Sequence, residues 1–289
     1  MIKTVLVHLR GTKGDDASLI AALQIARPFG AHLECLHIRP DFAGLISLAR
    51  PAILEGDTET IARALKRLEQ EYAEAAQRAS DSLAAFCVAE GIRKGELPIN
   101  TNGISASFRE DIGSDVERLI AHSRRHDLVV VKGGGVNEGG LDASDVGRLI
   151  LGAGRPALLA PTVPARSTGT VVIAWKDTPE AARAVSAAMP LLEKAKRIFV
   201  VTASDDEEPP TDQNGVVSHL EWHGLTCEAL QVEPRGRDAY DAVLETARSA
   251  DADLLVAGAY GHGRLREVVF GGFTEGLLED ASLPVLVLH

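Results

Sequence analysis

Along this chain, short apolar runs rich in Val, Ile and Leu alternate with longer stretches in which apolar residues return every three or four positions. Runs of the first kind are read as strands and stretches of the second kind as helices, and their regular alternation is the pattern of a parallel sheet built through crossover helices. In the first half the pattern predicts strands at 3–9, 32–38, 104–109, 127–132 and 156–161, with helices at 15–29, 58–90, 113–125 and 143–152. In the second half it predicts strands at 170–175, 197–202, 226–232, 253–257 and 284–288, with helices at 178–194, 212–223, 238–250 and 272–281. The helix over 58–90 is long and rich in Ala, Glu and Arg, and is expected to flank the sheet as a protruding arm.

The same order of five strands and four helices is thus read twice, and individual residues repeat with it. Gly113-Ser114-Asp115 opens a helix that leads to Asp127-Leu128-Val129-Val130-Val131, and Gly236-Arg237-Asp238 opens one that leads to Asp253-Leu254-Leu255-Val256-Ala257. Each is followed by a glycine-rich turn, a short helix and a proline-led strand, Pro156–Ala160 in one half and Pro284–Leu288 in the other. The expectation is an α/β chain of two tandem doubly wound domains, 1–163 and 169–289, joined by a Pro/Ser/Thr linker from Pro161 to Gly169. A single large doubly wound domain is the alternative, and the matched spacing of the landmarks favours duplication. Each half ends in a short apolar strand at a sheet edge, where unpaired backbone groups invite pairing.

Composition narrows the classes of function. The chain has 289 residues, of which 45% are hydrophobic, enough for a core without covalent staples. Thirty Lys and Arg against 41 Asp and Glu leave a net charge of −11, which repels nucleic acid and anionic lipid, so neither is an expected partner. Cys35, Cys87 and Cys227 are odd in number and far apart, which points to no disulfide framework and no zinc knuckle. With no signal-like leader and no apolar span of about 18 residues, the chain is expected to be cytoplasmic.

Candidate chemistry concentrates in Gly258-Ala259-Tyr260-Gly261-His262-Gly263, continuing to Gly271-Gly272-Phe273-Thr274. Glycines leaving a strand let the backbone turn tightly and bring N–H groups to an anion without a Cβ in the way, and a helix N-terminus just beyond adds its dipole. The spacing Gly258-x2-Gly261-x9-Gly271, then a short helix and Pro284-Val285-Leu286-Val287, resembles the nucleotide-binding signature of the universal stress protein family. Counting both halves, the resemblance covers the whole chain and is to the tandem two-domain type. It implies five-stranded parallel sheets of the adenine nucleotide alpha-hydrolase-like fold, packed as an intramolecular pseudo-dimer whose last strands pair antiparallel. It further implies an adenine nucleotide such as ATP, with or without Mg2+, at the ends of the first and fourth strands. On that resemblance Gly258, Gly261, Gly271 and Gly272 line the phosphates with Thr274 as a side-chain donor; Gly263 lies among them, and His262 is equally a phosphate contact or an exposed loop residue. Ala174, Trp175, Lys176 and Asp177 form the base and ribose side.

Two positions depart from the family pattern. Gly272 stands where ATP-binding members have Ser or Thr, and Lys176 stands where they have an acid, so that Asp177 is a substitute for the acid or Lys176 a phosphate contact. An N-cap at Asp177 or Thr178 before Pro179 is an equal alternative. The first half's turn, Gly133-Gly134-Gly135-Val136-Asn137-Glu138-Gly139-Gly140, keeps glycines but not the spacing, so no triphosphate is expected there and this half is read as a structural partner.

Other residues are assigned more plainly. Arg264 is equally a phosphate contact or an exposed loop residue. Cys35 and His37 share a strand face and are read as a buried thiol beside a satisfied histidine, with no third ligand for a metal. His219 and His223, one turn apart, are read as a solvated face around Trp222, and Asp205–Pro210 as a solvated acidic loop. No nucleophile, base and acid assemble, so no catalytic residue and no metal site are assigned, and at most weak ATP hydrolysis is expected. The favoured function is a stress-response protein whose second half binds an adenine nucleotide without catalysis. The alternatives are a module for another small molecule or a protein partner, or a weak ATPase; a homodimer of such chains is a further possibility.

Overall fold

The computed structural model describes residues 1–42, 44, 58–95, 103–133, 140–161, 169–204, 211–236, 238–259, 276 and 282–289. Its first half runs β1 (Thr4–His8), α1 (Asp15–Ala26), β2 (His32–Arg39), α2 (Thr58–Glu90), β3 (Arg93–Lys94), β4 (Ser105–Ile112), α3 (Asp115–Ser123), β5 (Leu128–Lys132), α4 (Ala143–Ala153) and β6 (Ala157–Ala160). Its second half runs β7 (Thr170–Ala174), α5 (Pro179–Leu192), β8 (Arg197–Ala203), α6 (Thr211–Trp222), β9 (Glu228–Val232), α7 (Ala239–Ser249), β10 (Leu254–Gly258) and β11 (Val285–Leu288).

All ten expected strands form. An eleventh, β3, adds two exposed residues beside β4 in the register Arg93↔Ser105 and Lys94↔Ala106. Its polar residues carry no apolar run, so nothing in the pattern marks them. The first helix ends at Ala26 and passes into a 3-10 turn over Arg27–Phe29, because Pro28 removes a backbone donor and Gly30 takes a left-handed φ of 58°. The helix expected at 272–281 falls largely outside the described residues, as does most of the linker.

The strands form one sheet in the order β3-β4-β2-β1-β5-β6-β11-β10-β7-β8-β9. Every neighbouring pair is parallel except one: β6 meets β11 antiparallel, with Leu159 opposite Val285, Leu158 opposite Leu286 and Ala157 opposite Val287. All six residues are buried. Two doubly wound half-sheets are thereby fused edge to edge, as the pseudo-dimer expectation required. Within each half the strand order reverses beside the first strand, between β1 and β5 and again between β7 and β10.

Strand alternation divides the core into two layers. Val5, Val7, Leu33 and Cys35 meet α1 and the C-terminal part of α2, and Ile198 and Val200 meet α5 and α6. On the opposite face Leu6, Leu36, Val129 and Val131 pack with α3 and α4, and Phe199, Val201 and Leu255 pack with α7. Helix α2 is an arm only in its first turns, where Leu68 and Tyr72 are exposed; Ala76, Ala79, Leu83 and Cys87 are buried against the sheet.

The duplicated landmarks have a structural cause. Asp127, just before β5, accepts hydrogen bonds from the backbone N–H of Lys3 (2.7 Å) and Thr4 (2.9 Å), tying the start of β1 to its neighbour. Asp253, just before β10, accepts from Gly169 and Thr170 in the same way. Burial pushes the Asp127 carboxyl up, but the Lys3 and Thr4 donors outweigh it and hold it below the usual carboxylate value. Asp127→Ala is therefore expected to lower stability by about 1–3 kcal/mol near neutral pH in chemical denaturation. Because the folded-state value is depressed, the contribution is present above the ordinary titration range and is lost as the pH falls through it, so the difference from wild type should shrink below about pH 4. An unchanged midpoint at neutral pH contradicts this role.

Candidate functional site

In an open parallel sheet, ligands sit beyond the carboxyl ends of the strands where the strand order reverses. In the second half that place is the end of β7 beside β10. Ala174 closes β7, and Trp175 follows with its backbone N–H donating to the Val201 carbonyl at 2.9 Å. The Trp175 ring packs against the core layer of α5 and α6, yet its indole Nε1 is buried with no hydrogen-bond partner among the described residues. Thr202, at the end of β8, lies on the same sheet face as Ile198 and Val200. It is 6% exposed, and its Oγ1 also has no partner among the described residues. Buried polar atoms in folded proteins are normally paired, and these two lie at one strand edge.

Lys176 and Asp177 are exposed beside them. Thr178 caps α5, its Oγ1 accepting from Ala181 N at 3.3 Å, and Pro179 takes the first helical position. Of the two N-cap alternatives, Thr178 therefore fills the role, and Asp177 is not consumed as the cap. Gly258 closes β10 hard against this helix start: a Cβ there would lie 2.5 Å from Ala181 N and 2.7 Å from the Glu180 carbonyl carbon. The absence of a side chain at Gly258 thus serves the approach of α5 to β10. Gly261, His262, Gly263, Arg264, Gly271, Gly272 and Thr274 lie outside the described residues, as does the acidic stretch Asp205–Pro210.

The first half repeats the backbone of this edge with other side chains. Leu9 N donates to Leu36 O at 2.9 Å, the counterpart of the Trp175–Val201 bond. The following loop is clasped by the buried Asp15, which accepts from Arg10 N (2.9 Å) and Gly11 N (2.8 Å). Gly11 has a φ of 71°, and a Cβ there would meet the Ala75 carbonyl oxygen of α2 at 2.1 Å, so α2 crosses directly over the loop. Arg78 of α2 donates to the Gly11 carbonyl at 3.0 Å.

Beneath α2 is a cavity of about 240 Å3, lined by His8, Arg10, His37, Tyr72, Gly113 and Asp115 among others. His8 Nε2 lies 3.0 Å from Asp115 Oδ1, and Arg10 Nε lies 3.9 Å from its other oxygen. Burial raises the Asp115 carboxyl, and the His8 contact and the nearby Arg10 charge outweigh this and lower it below its ordinary value. His37 corrects an expectation: only its Nδ1 is satisfied, by the Leu9 carbonyl at 2.9 Å, while its buried Nε2 has no partner among the described residues. Sequence reasoning missed His8, Asp115 and Tyr72 as neighbours. The available signal was that His8 and Asp115 fall at a predicted strand end and a predicted helix start on one edge of the sheet.

Cys35 and Cys87 are buried free thiols, and no group of metal-ligating residues assembles among the described residues. His219 and His223 stack edge to face at 4.9 Å beside Trp222, which is 89% exposed. No helix among the described residues is long and apolar enough to cross a membrane.

Comparison with known proteins agrees with the geometry. The sequence profile described as the universal stress protein family matches residues 168–289. A universal stress protein of Synechocystis sp. is 37% identical over 60 residues, a stretch that is 21% of each protein, so the chain spans about a fifth of the length of the curated relative it matches. The crystal structure of a universal stress protein from Archaeoglobus fulgidus DSM 4304 superposes with a TM-score of 0.66 at 15% identity, covering 99% of this chain and 97% of that one. A universal stress protein structure from Pseudomonas aeruginosa UCBPP-PA14 gives 0.56 at 18% identity, covering 99% and 93%. At such identities the structural likeness speaks for the fold, which both halves share.

The packing at Gly258 generates a direct test. Gly258→Ala forces β10 and α5 apart and is expected to cost about 1–3 kcal/mol of stability by thermal or chemical unfolding. A variant as stable as wild type would show that the close approach is not required.

Proposed function

We propose that this chain is a stress-response protein whose second half binds an adenine nucleotide: residues 168–289 match the universal stress protein family, and the first half repeats the same fold. The observation that carries this reading is the unpartnered Trp175 indole N–H at the reversal point of the sheet, with the Thr202 hydroxyl on the same face. A base nitrogen or a ribose hydroxyl is a natural partner for such groups, because each supplies the hydrogen bond that burial has denied them. Asp177, exposed and not used as a cap, is available to accept from ribose hydroxyls, and the exposed Lys176 is available to phosphate oxygens.

On the family resemblance the phosphates would go to Gly261, Gly263, Gly271 and Gly272, residue types without a Cβ to obstruct an anion, with His262 and Thr274 as further donors. Bound Mg2+ would offset phosphate charge in a chain of net charge −11. No nucleophile and base are assigned among these residues, so binding and not turnover is the proposed activity, with shape or partner choice responding to occupancy.

Isothermal titration calorimetry with ATP and AMP, with and without Mg2+, tests the reading. Saturable binding to the wild-type chain, lost or weakened at least tenfold in Gly261→Val, is the expected outcome. Absence of binding at millimolar nucleotide removes the nucleotide and leaves the site to another small molecule. Phosphate release that persists through purification and disappears in Gly261→Val would assign ATP hydrolysis in addition.

A further inference from the structure

The first half carries a cleft that the nucleotide reading of the second half does not use. It lies at the carboxyl ends of β1, β2 and β4 under α2 and encloses about 240 Å3. That is roughly eight waters' share of liquid volume, and it falls below the range of pockets that hold drug-sized ligands. A molecule the size of a monosaccharide matches it.

The polar lining states what kind of molecule fits. His37 is 2% exposed, and its Nδ1 faces the Leu9 carbonyl oxygen, which can only accept, so the ring proton resides on Nδ1. Its Nε2 is then a buried acceptor with no partner. Burial pushes the imidazole pKa down, although the bond to Leu9 works against this, and the neutral form is favoured. Asp115 is a second acceptor, already in contact with His8 Nε2 at 3.0 Å and with the Arg10 guanidinium at 3.9 Å.

A phosphate placed here would face the Asp115 carboxylate and the His37 lone pair. An ammonium would face Arg10. A neutral molecule with several hydroxyls meets neither opposition: one O–H donates to His37 Nε2, another donates to Asp115, and hydroxyl oxygens accept from Arg10. Ile38, Pro40 and the Tyr72 ring from α2 supply apolar surface for its C–H faces. We propose that the first-half cleft binds a neutral polyol of monosaccharide size, held between the unpaired His37 nitrogen and the Asp115 carboxylate.

An NMR titration of the full chain tests this, with D-ribose as the probe and inorganic phosphate and ethanolamine as controls, reading the backbone amides of Gly113 and Asp115 and the His37 imidazole. The expected result is saturable ribose-dependent shifts at these first-half signals, retained in Gly261→Val and absent with either control. His37→Phe removes the acceptor while keeping ring bulk and should abolish the amide response. Tyr72→Ala lies at an exposed helical position and should leave the fold intact while weakening ribose several-fold, so the test survives should His37→Phe fail to fold. No saturable shift with ribose, a response confined to the second half, an equal response in folded His37→Phe, or saturation by phosphate or ethanolamine would each overturn the proposal. Because the readout is confined to the first half, its failure leaves nucleotide binding in the second half untouched, and the reverse holds as well.

Discussion

The antiparallel pairing of β6 with β11 is the constraint on which the architecture depends. A doubly wound half-sheet ends in a short apolar strand with one row of backbone groups unpaired, and such an edge is either covered or aggregates. Here each half covers the other, and the buried residues Ala157, Leu158, Leu159, Val285, Leu286 and Val287 make the seam as apolar as the interior of either half. The pairing also sets directions. Strands are parallel on both sides of an antiparallel seam, so the carboxyl ends of the two halves point to opposite edges of the common sheet. Two separate carboxyl edges result, each at its own reversal of strand order.

What the halves keep and what they change follows from how each feature is held. Bonds that define the backbone recur: an aspartate before the fourth long strand of each half ties down the start of the first, and the residue after that first strand donates to its neighbour in both. Side chains at the strand ends are not needed for these backbone bonds, and they diverge. His8 in one half corresponds to Ala174 in the other, Arg10 to Lys176, and His37 to Thr202. The unpaired His37 nitrogen and the unpaired Thr202 hydroxyl thus occupy matching places in the sheet, one a buried acceptor and the other a hydroxyl able to donate or accept. Matching vacancies with different chemistry are what two sites of common origin and separate ligands would leave.

Much of this was legible in the sequence because burial leaves a periodic record. The apolar runs marked all ten long strands, and the repeat of Asp127 and Asp253 ahead of two of them exposed the duplication before its structural cause was visible. Strand β3 was not legible, since two exposed basic residues pair there by backbone alone. The first-half cleft was not legible either. His8, His37 and Asp115 are far apart in sequence and meet only because β1, β2 and the start of α3 share one sheet edge, and whether one imidazole nitrogen is left unpaired is a matter of three-dimensional geometry. In the second half the glycine spacing was read directly from the residues, whereas the unpaired indole of Trp175 emerged from the packing of the strand end against its neighbours.

The account's central claim is that the carboxyl edge of the second half is a nucleotide site with the Trp175 indole in its wall. The chain has two tryptophans, and the other, Trp222, is 89% exposed on α6. Titrating ATP into a Trp222→Phe protein while following fluorescence excited at the red edge of the absorption band, where only tryptophan absorbs, therefore reports on Trp175. A saturable change in Trp175 emission, reversed by dilution, is the predicted result. Emission that stays flat while calorimetry on the same protein registers binding, or that stays flat with no binding at all, would contradict the placement of the nucleotide at this edge.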